Sequence, residues 1–222
     1  HEGICSQFSE REPFASVHLP GGQAITAGQP VVTYVARNLE PYRGFHSFMR
    51  SIPFIQAECP EARIVIVGGE GVSYGSPPRG YGSWRSKLLA EVDFDHSKVI
   101  LAGKLPYETY RAVLNRSTVH VYLTYPFVLS WSLLEAMASD CVVIGSTTAP
   151  VEEVIVDGVN GLLVDFFNSE AIAKKVCGVL KNQDDFHWVR RAAKKKEKKF
   201  DVRHGTDRYI EIFDSVTGGR SI

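Results

Sequence analysis

The chain has 222 residues, 44% of them apolar, and its 25 Lys and Arg are balanced by 25 Asp and Glu, leaving no formal net charge. That length and apolar content suffice for the core of one large domain, and the charge balance argues against a protein built to hold long nucleic acid. Cys5, Cys59, Cys141 and Cys177 form no Cys-x-x-Cys pair, which indicates neither a zinc site nor a redox pair and makes a reducing cytoplasm the simplest compartment, and no apolar run reaches the ~18 residues of a membrane-spanning helix.

The opening His1-Glu2-Gly3-Ile4 is not a signal peptide. With no initiating Met, the chain reads as a fragment. Residues 1–30 contain Pro13, Pro20, Gly21, Gly22, Gly28 and Pro30 and no apolar period long enough for a helix, which is connector composition. From residue 31 onward, strand and helix patterns alternate, which predicts parallel strands joined by right-handed crossovers. Strands are expected near 31–36, 63–67, 98–102, 119–123, 141–145 and 162–164. Helices are expected near 43–57, 83–92, 106–116, 131–139, 151–155 and 169–181. Phe45, Phe48, Met49, Ile52 and Ile55 fall at three- and four-residue steps and give helix 43–57 one apolar face. Arg63-Ile-Val-Ile-Val67 is almost continuously apolar, as a strand covered on both faces should be. The expected fold is α/β, a Rossmann-like open parallel sheet of about six strands with helices on both faces. Its domain would run over 31–183, between the connector and C-terminal helices in 184–222.

Candidate functional residues collect where strands end. Arg37 and Arg43 sit on the turn after the first strand, and in an open parallel sheet such turns share one edge with the start of helix 131–139. Gly68-Gly69 at the second strand exit either lets a ligand approach the backbone or serves turn geometry alone. Residues 72–82 are too rich in Gly and Pro for an element and form a loop at the ligand edge, a lid or an ordinary surface insertion. Gly103-Lys104-Leu105 follows the third strand. There Lys104 is either solvated or turned toward a ligand. Tyr125 to Ala138 runs from an apolar strand straight into a helix with Leu133, Leu134, Met137 and Ala138 on its buried face. Glu135 points elsewhere, and Ser130 and Ser132 are both plausible N-caps. A helix start leaves N–H groups that suit an anion. Arg190, Arg191, Lys194, Lys195, Lys196, Lys198 and Lys199 crowd a late helix whose other face carries Phe186, Val189, Ala193 and Phe200. Such a helix can lie on anionic lipid, remain solvated, or pack against another lobe. The histidines show no metal-ligand spacing. Ser130 has no nearby His and no Gly-x-Ser-x-Gly context, which argues against a hydrolase.

Arg37 with Arg43-Gly44, together with Glu135-Ala136-Met137-Ala138, resembles the donor-nucleotide lobe of GT-B glycosyltransferases of the retaining family 4 type. That family has an Arg, then a Lys-Gly, and later a Glu followed after seven residues by a second Glu-Ala-Met-Ala. Here Arg43 replaces the Lys. Phe127 stands where the first Glu should be. The resemblance implies transfer of a sugar from a UDP-, GDP- or ADP-sugar co-substrate with retention, and no metal or other cofactor. Arg37 and Arg43 would stabilise the leaving diphosphate. The N–H groups of Val128, Leu129, Ser130, Trp131, Ser132 and Leu133 would hold diphosphate and sugar, with Phe127 on the sugar side. Glu135 would bind the ribose hydroxyls, and Gly68, Gly69, Gly103, Lys104 and Leu105 would lie on the base side. The partners implied are the nucleotide-sugar and an N-terminal acceptor lobe of the same protein, with no nucleic acid. A cytoplasmic protein, peripheral at most to the inner membrane face, is expected. Two further readings stay open: a nucleotide-binding or regulatory module with a decayed site, and a nucleotide-sugar epimerase, for which acid/base residues are missing.

Overall fold

The computed structural model describes residues 16–200 and 202–217. The segment His1-Glu2-Gly3-Ile4, Cys5 and Pro13 lie outside the described residues. A short antiparallel hairpin, β1 (Ser16–His18) and β2 (Ala24–Thr26), comes first. It falls within the stretch read as a connector, because strands of three residues are too short to show a period. Val17, Leu19 and Ile25 are nonetheless buried in the core.

Six strands follow: β3 (Val31–Asn38), β4 (Arg63–Gly69), β5 (Val99–Gly103), β6 (Val119–Tyr122), β7 (Val142–Ser146) and β8 (Leu162–Val164). They form one parallel sheet in the order β5-β4-β3-β6-β7-β8. From β3 the chain steps outward to β4 and β5, returns to β6 beside β3, and then steps outward the other way. The helices are α1 (Phe45–Glu58), α2 (Trp84–Glu91), α3 (Tyr107–Arg116), α4 (Trp131–Ala138), α5 (Ala149–Glu152), α6 (Ser169–Lys181), α7 (His187–Glu197) and α8 (Val202–Thr217). No helix among the described residues is long and apolar enough to cross a membrane.

Two boundaries differ for identifiable reasons. β3 runs two residues past the expected end, through an irregularity in its register with β4 that pairs Asn38 with Gly69. Arg37 therefore lies on the strand and only Arg43 on the turn. α5 begins at Ala149 because Pro150 lies in its first turn, where the missing N–H costs nothing.

The period of two along the strands sorts side chains into two layers. Val32, Tyr34 and Ala36 face the layer of α1, α2 and α6, whereas Val31 and Val35 face the hairpin and α3. Phe45, Phe48, Met49, Ile52 and Ile55 of α1 are fully buried, and burying one such side chain contributes about 1.5–3 kcal/mol. Helix α6 lies alongside α1, where Ser169 Oγ donates to the Ser47 carbonyl at 3.0 Å and Lys181 pairs with Glu58 at 3.1 Å. Helix α7 packs on α4. Val189 and Ala193 are buried, so its apolar face is covered by protein; Arg191 and Lys195 are exposed, whereas Arg190, Lys194 and Lys196 are half-buried. Cys59, Cys141 and Cys177 are buried free thiols.

One polar cluster crosses the sheet interior. Thr33 Oγ1 lies 2.8 Å from Ser117 Oγ and 2.9 Å from His120 Nδ1, and Ser117 Oγ donates to the Val119 carbonyl at 2.9 Å. This order assigns Thr33 as donor to Ser117 and His120 Nδ1–H as donor to Thr33. His120 Nε2 is then a bare acceptor, fully buried and without a partner. Burial lowers the His120 pKa to about 3. A protonated His120 would place a charge and an unsatisfied N–H in the core. The folded-state pKa lies below the unfolded value near 6.5, so this contribution is complete above pH 6.5 and is lost as pH falls from there toward 3. It should decline by roughly 1.4 kcal/mol per pH unit within that window. Urea unfolding at pH 7, 6 and 5 should show this decline added to that of His46, whose pKa burial lowers to about 4, and His120→Asn, which keeps an N–H for Thr33 and cannot titrate, should remove its own share of the slope. An unchanged slope in the variant would mean that His120 is not a titrating group.

Candidate functional site

Strands β3 and β6 pair only from Val32 with Val119 to Tyr34 with Val121. Their crossovers leave toward opposite edges of the sheet, so their carboxyl ends open into a crevice, the ligand position typical of this topology. Two adjoining chambers of about 560 and 540 Å³ occupy it, and both are lined by Val35, Ala36, Arg37, Ser130 and Trp131. Each lies within the size range of small-molecule sites.

Arg43 governs the first chamber. The Tyr34 hydroxyl donates to the Arg43 carbonyl at 2.6 Å, and burial holds that hydroxyl pKa far above its usual value, so it stays a donor. Gly44 follows at φ 74°, a left-handed conformation that glycine adopts without penalty. Arg43 Nη1 donates to Thr124 Oγ1 at 3.0 Å and to the Val128 carbonyl at 2.9 Å, tying the β3 turn to the loop before α4. The guanidinium lies 5.4 Å from the Tyr74 ring centre and 5.5 Å from that of Phe127, within cation–π range. The two rings meet edge to face at 4.8 Å. Arg37 also lines this chamber and is exposed, with no hydrogen-bond or ion-pair partner among the described residues.

Tyr74 is held over Arg43 by Glu40. The Glu40 carboxylate, 1% exposed, accepts the backbone N–H groups of Ser73, Tyr74 and Gly75 at 3.1–3.3 Å. Asn38 Nδ2 adds a bond to Ser73 Oγ at 2.7 Å. The glycine- and proline-rich loop is thus fastened at its start to the β3 turn.

The second chamber holds Glu135. Tyr110 donates its hydroxyl to Glu135 Oε2 at 2.5 Å, and Tyr107 contributes a further hydrogen bond. Glu135 is 7% exposed, and burial raises its pKa while the two tyrosines oppose the shift. The carboxylate is therefore clasped at a chamber wall rather than solvated. Gly68, Lys104 and Leu105 line the same chamber. A Cβ on Gly68 would come within 2.5 Å of the Ala36 carbonyl, so close packing of β4 on β3 requires glycine there. Gly69 and Gly103 line neither chamber.

The start of α4 is less open than its sequence suggests. Ser130 N–H donates to the Tyr122 hydroxyl at 2.7 Å, Ser132 N–H to Ser130 Oγ at 3.4 Å, and Leu133 N–H to the Ser130 carbonyl at 3.2 Å. Ser130 is the N-cap. Leu133 is fully buried, whereas Val128, Leu129, Ser130, Trp131 and Ser132 reach the chambers. Phe127 stands at the rim against Arg43. Positive potential in the crevice thus comes mainly from guanidinium groups. Glu40, Tyr74, Tyr107 and Tyr110 were not singled out from sequence, although Tyr107 and Tyr110 stand three residues apart on one helix face.

Among the described residues no group of three or more His, Cys, Asp or Glu could hold a metal ion. Asp93-Phe94-Asp95 has the paired-carboxylate spacing of a metal–diphosphate motif, but it precedes β5, at the end of the sheet remote from the crevice. Asp95 caps the turn there, accepting from Ser97 N–H at 2.8 Å.

Comparison with known proteins gives the same region. Residues 29–182 match the family described as glycosyl transferases group 1. An uncharacterised glycosyltransferase of Methanocaldococcus jannaschii is 25% identical over 147 residues, covering 66% of this chain and 35% of that protein. A trehalose synthase of Thermococcus litoralis is 24% identical over 190 residues, 84% of this chain and 44% of that protein. The chain spans less than half the length of either relative. The Anabaena protein Alr3699/HepE, solved in complex with UDP-glucose, shares the fold with a TM-score of 0.71 at 18% identity, covering 85% of this chain and 50% of that one.

The Glu40 clasp is testable directly. A glutamine has one acceptor oxygen and no charge, so Glu40→Gln should speed amide exchange at Ser73, Tyr74 and Gly75 by about tenfold or more. Exchange in β3, β4 and β6 should be unchanged. Equal protection of the loop in both proteins would show that other contacts hold it.

Proposed function

The chain belongs to the glycosyl transferases group 1 family, and from that premise we propose that it is the donor lobe of a retaining glycosyltransferase. It binds a nucleotide diphosphate sugar in the crevice between β3 and β6. The acceptor is held by an N-terminal lobe outside these 222 residues. The observation that carries this reading is the convergence of Arg37, Arg43 and Glu135 on two chambers that share Arg37 as a wall.

Each residue has a task that its chemistry fits. In the transfer, the bond between the anomeric carbon and the diphosphate oxygen breaks and its electron pair stays on the diphosphate. A bond then forms from the acceptor hydroxyl oxygen, whose proton passes to the departing diphosphate. Negative charge grows on the leaving group as the sugar carbon becomes oxocarbenium-like. Arg37, with its whole fork unengaged, and Arg43, anchored through Nη1 and hydrogen-bonded to Tyr122, supply fixed positive charge at the diphosphate. No metal ion is needed for that role. An ionised carboxylate offers about four acceptor positions. Tyr110 and Tyr107 occupy two on Glu135, leaving two for the two hydroxyls of a ribose. Gly68, Lys104 and Leu105 then lie beside the base. The nucleotide class is open to UDP-, GDP- and ADP-sugars, and the Anabaena relative held UDP-glucose.

One observation favours a second reading. Phe127 occupies the position where the resembling family carries a sugar-binding Glu, and it packs on Arg43. A module that binds nucleotide without transferring sugar would tolerate that exchange. Product analysis on a protein carrying both lobes separates the two readings.

Calorimetric titration with nucleoside diphosphate and with pyrophosphate tests the division of labour. Glu135→Ala should weaken the nucleoside diphosphate at least about tenfold, since a hydrogen bond to a charged group contributes roughly 1.5–3 kcal/mol, and should spare pyrophosphate. Arg37→Ala or Arg43→Ala should weaken both ligands. Loss of pyrophosphate binding in Glu135→Ala would overturn the ribose assignment. Donor binding should also survive EDTA, and strict dependence on magnesium or manganese would count against the arginines as the diphosphate's only counter-charge.

A further inference from the structure

At the opposite end of the sheet, where β3 and β6 begin, a separate cavity of about 260 Å³ lies between the α3–β6 turn, the end of α4 and helix α7. Its walls are polar: Gln29, Arg116, Thr118, Asp140, Gln183 and Arg190 all face it. Two guanidinium groups and one carboxylate give it net positive charge. Neither guanidinium is satisfied by protein at this cavity. Arg116 gives one N–H to the Thr26 carbonyl at 2.5 Å, while Arg190 has neither a hydrogen bond nor an ion pair among the described residues. The Nε of each is sealed in protein without an acceptor, as is that of Arg63, so the terminal nitrogens are what these side chains offer the cavity. Charged donors held in place by protein are normally satisfied, and an unpaired guanidinium beside a half-paired one on one cavity wall points to an acceptor common to both. Thr118 adds a donor, since its Oγ1 accepts the Val31 N–H at 3.2 Å and so keeps its own proton for a second partner.

We propose that this cavity binds a phosphate-class dianion, either inorganic phosphate or the phosphate of a small phosphomonoester, between Arg116 and Arg190. A tetrahedral dianion has acceptor oxygens for two guanidinium forks at once, which a single carboxylate supplies less well. The volume admits phosphate with a small substituent and excludes a polymer. The site shares no residue with the crevice and stands whether or not the donor-lobe reading does.

The test is thermal shift and calorimetry of the 222-residue chain with sodium phosphate and, in a second arm, glycerol 3-phosphate, with ionic strength held constant by sodium chloride. A ligand that binds the folded state alone raises the melting temperature saturably. Arg190→Gln and Arg116→Gln should each weaken that response by about tenfold or more, the loss expected from one charge-assisted hydrogen bond. Arg190→Lys, which keeps the charge and loses the fork, should fall between and serves as the variant if Arg190→Gln does not fold by circular dichroism. Arg37→Gln, in the crevice, should leave the response intact. The arm that binds more tightly tells free phosphate from a phosphomonoester. The proposal is overturned if the wild type shows no saturable response in either arm, if the Arg190 and Arg116 variants respond like wild type, or if Arg37→Gln abolishes the response and so assigns it to the crevice.

Discussion

The crevice follows from where the β3–β6 ladder stops. Two parallel strands joined by hydrogen bonds only as far as Tyr34 and Val121 must separate when their next segments travel toward opposite edges of the sheet. Beyond that point backbone from both strands is exposed to whatever fills the gap. Everything else at the site decorates this split. Arg37 continues β3 into it, the residues after β6 form its far wall, and Arg43 reaches across to Thr124 and Val128. Because Tyr34 pins the Arg43 carbonyl from within the core, the turn carrying the guanidinium is fixed to the sheet rather than left to loop mobility.

The two chambers share Arg37 and differ in the charged group that each holds in protein contacts. In the first, a guanidinium lies against two aromatic rings, and the carboxylate of Glu40 accepts three backbone N–H groups and forms no ion pair with Arg43 among the described residues. In the second, a carboxylate is buried and satisfied by tyrosine hydroxyls, which stabilise its charge without adding positive charge of their own. A ligand that is anionic at one end and rich in hydroxyls at the other fits this pair.

Much of this was legible in the sequence. Strand 162–164 and helix 169–181 lie where periodicity put them, because apolar spacing and an Asn cap are local signals. Arg37, Arg43 and Glu135 were readable as a group because any parallel sheet gathers its strand ends at one edge. What escaped was tertiary. Glu40 meets residues 33 to 35 positions away, and nothing in its surroundings in the chain marks it as a clasp. The amides at the start of α4 looked available because the sequence cannot show that the Tyr122 hydroxyl and the Ser130 carbonyl already use them. The hairpin over 16–26 was missed because three residues on each strand are fewer than any period needs.

The side-by-side packing of α1 and α6 has a temporal side. Ser47 and Ser169 touch across 122 positions of chain, so the apolar stripe of α1 leaves the ribosome long before the helix that shields part of it has been made. Closing so long a loop costs entropy before any contact repays it, and sheets assembled from such distant partners fold slowly. Through that interval Phe48, Ile52 and Ile55 belong to an unfinished surface, the kind of exposure that recruits chaperones or drives self-association.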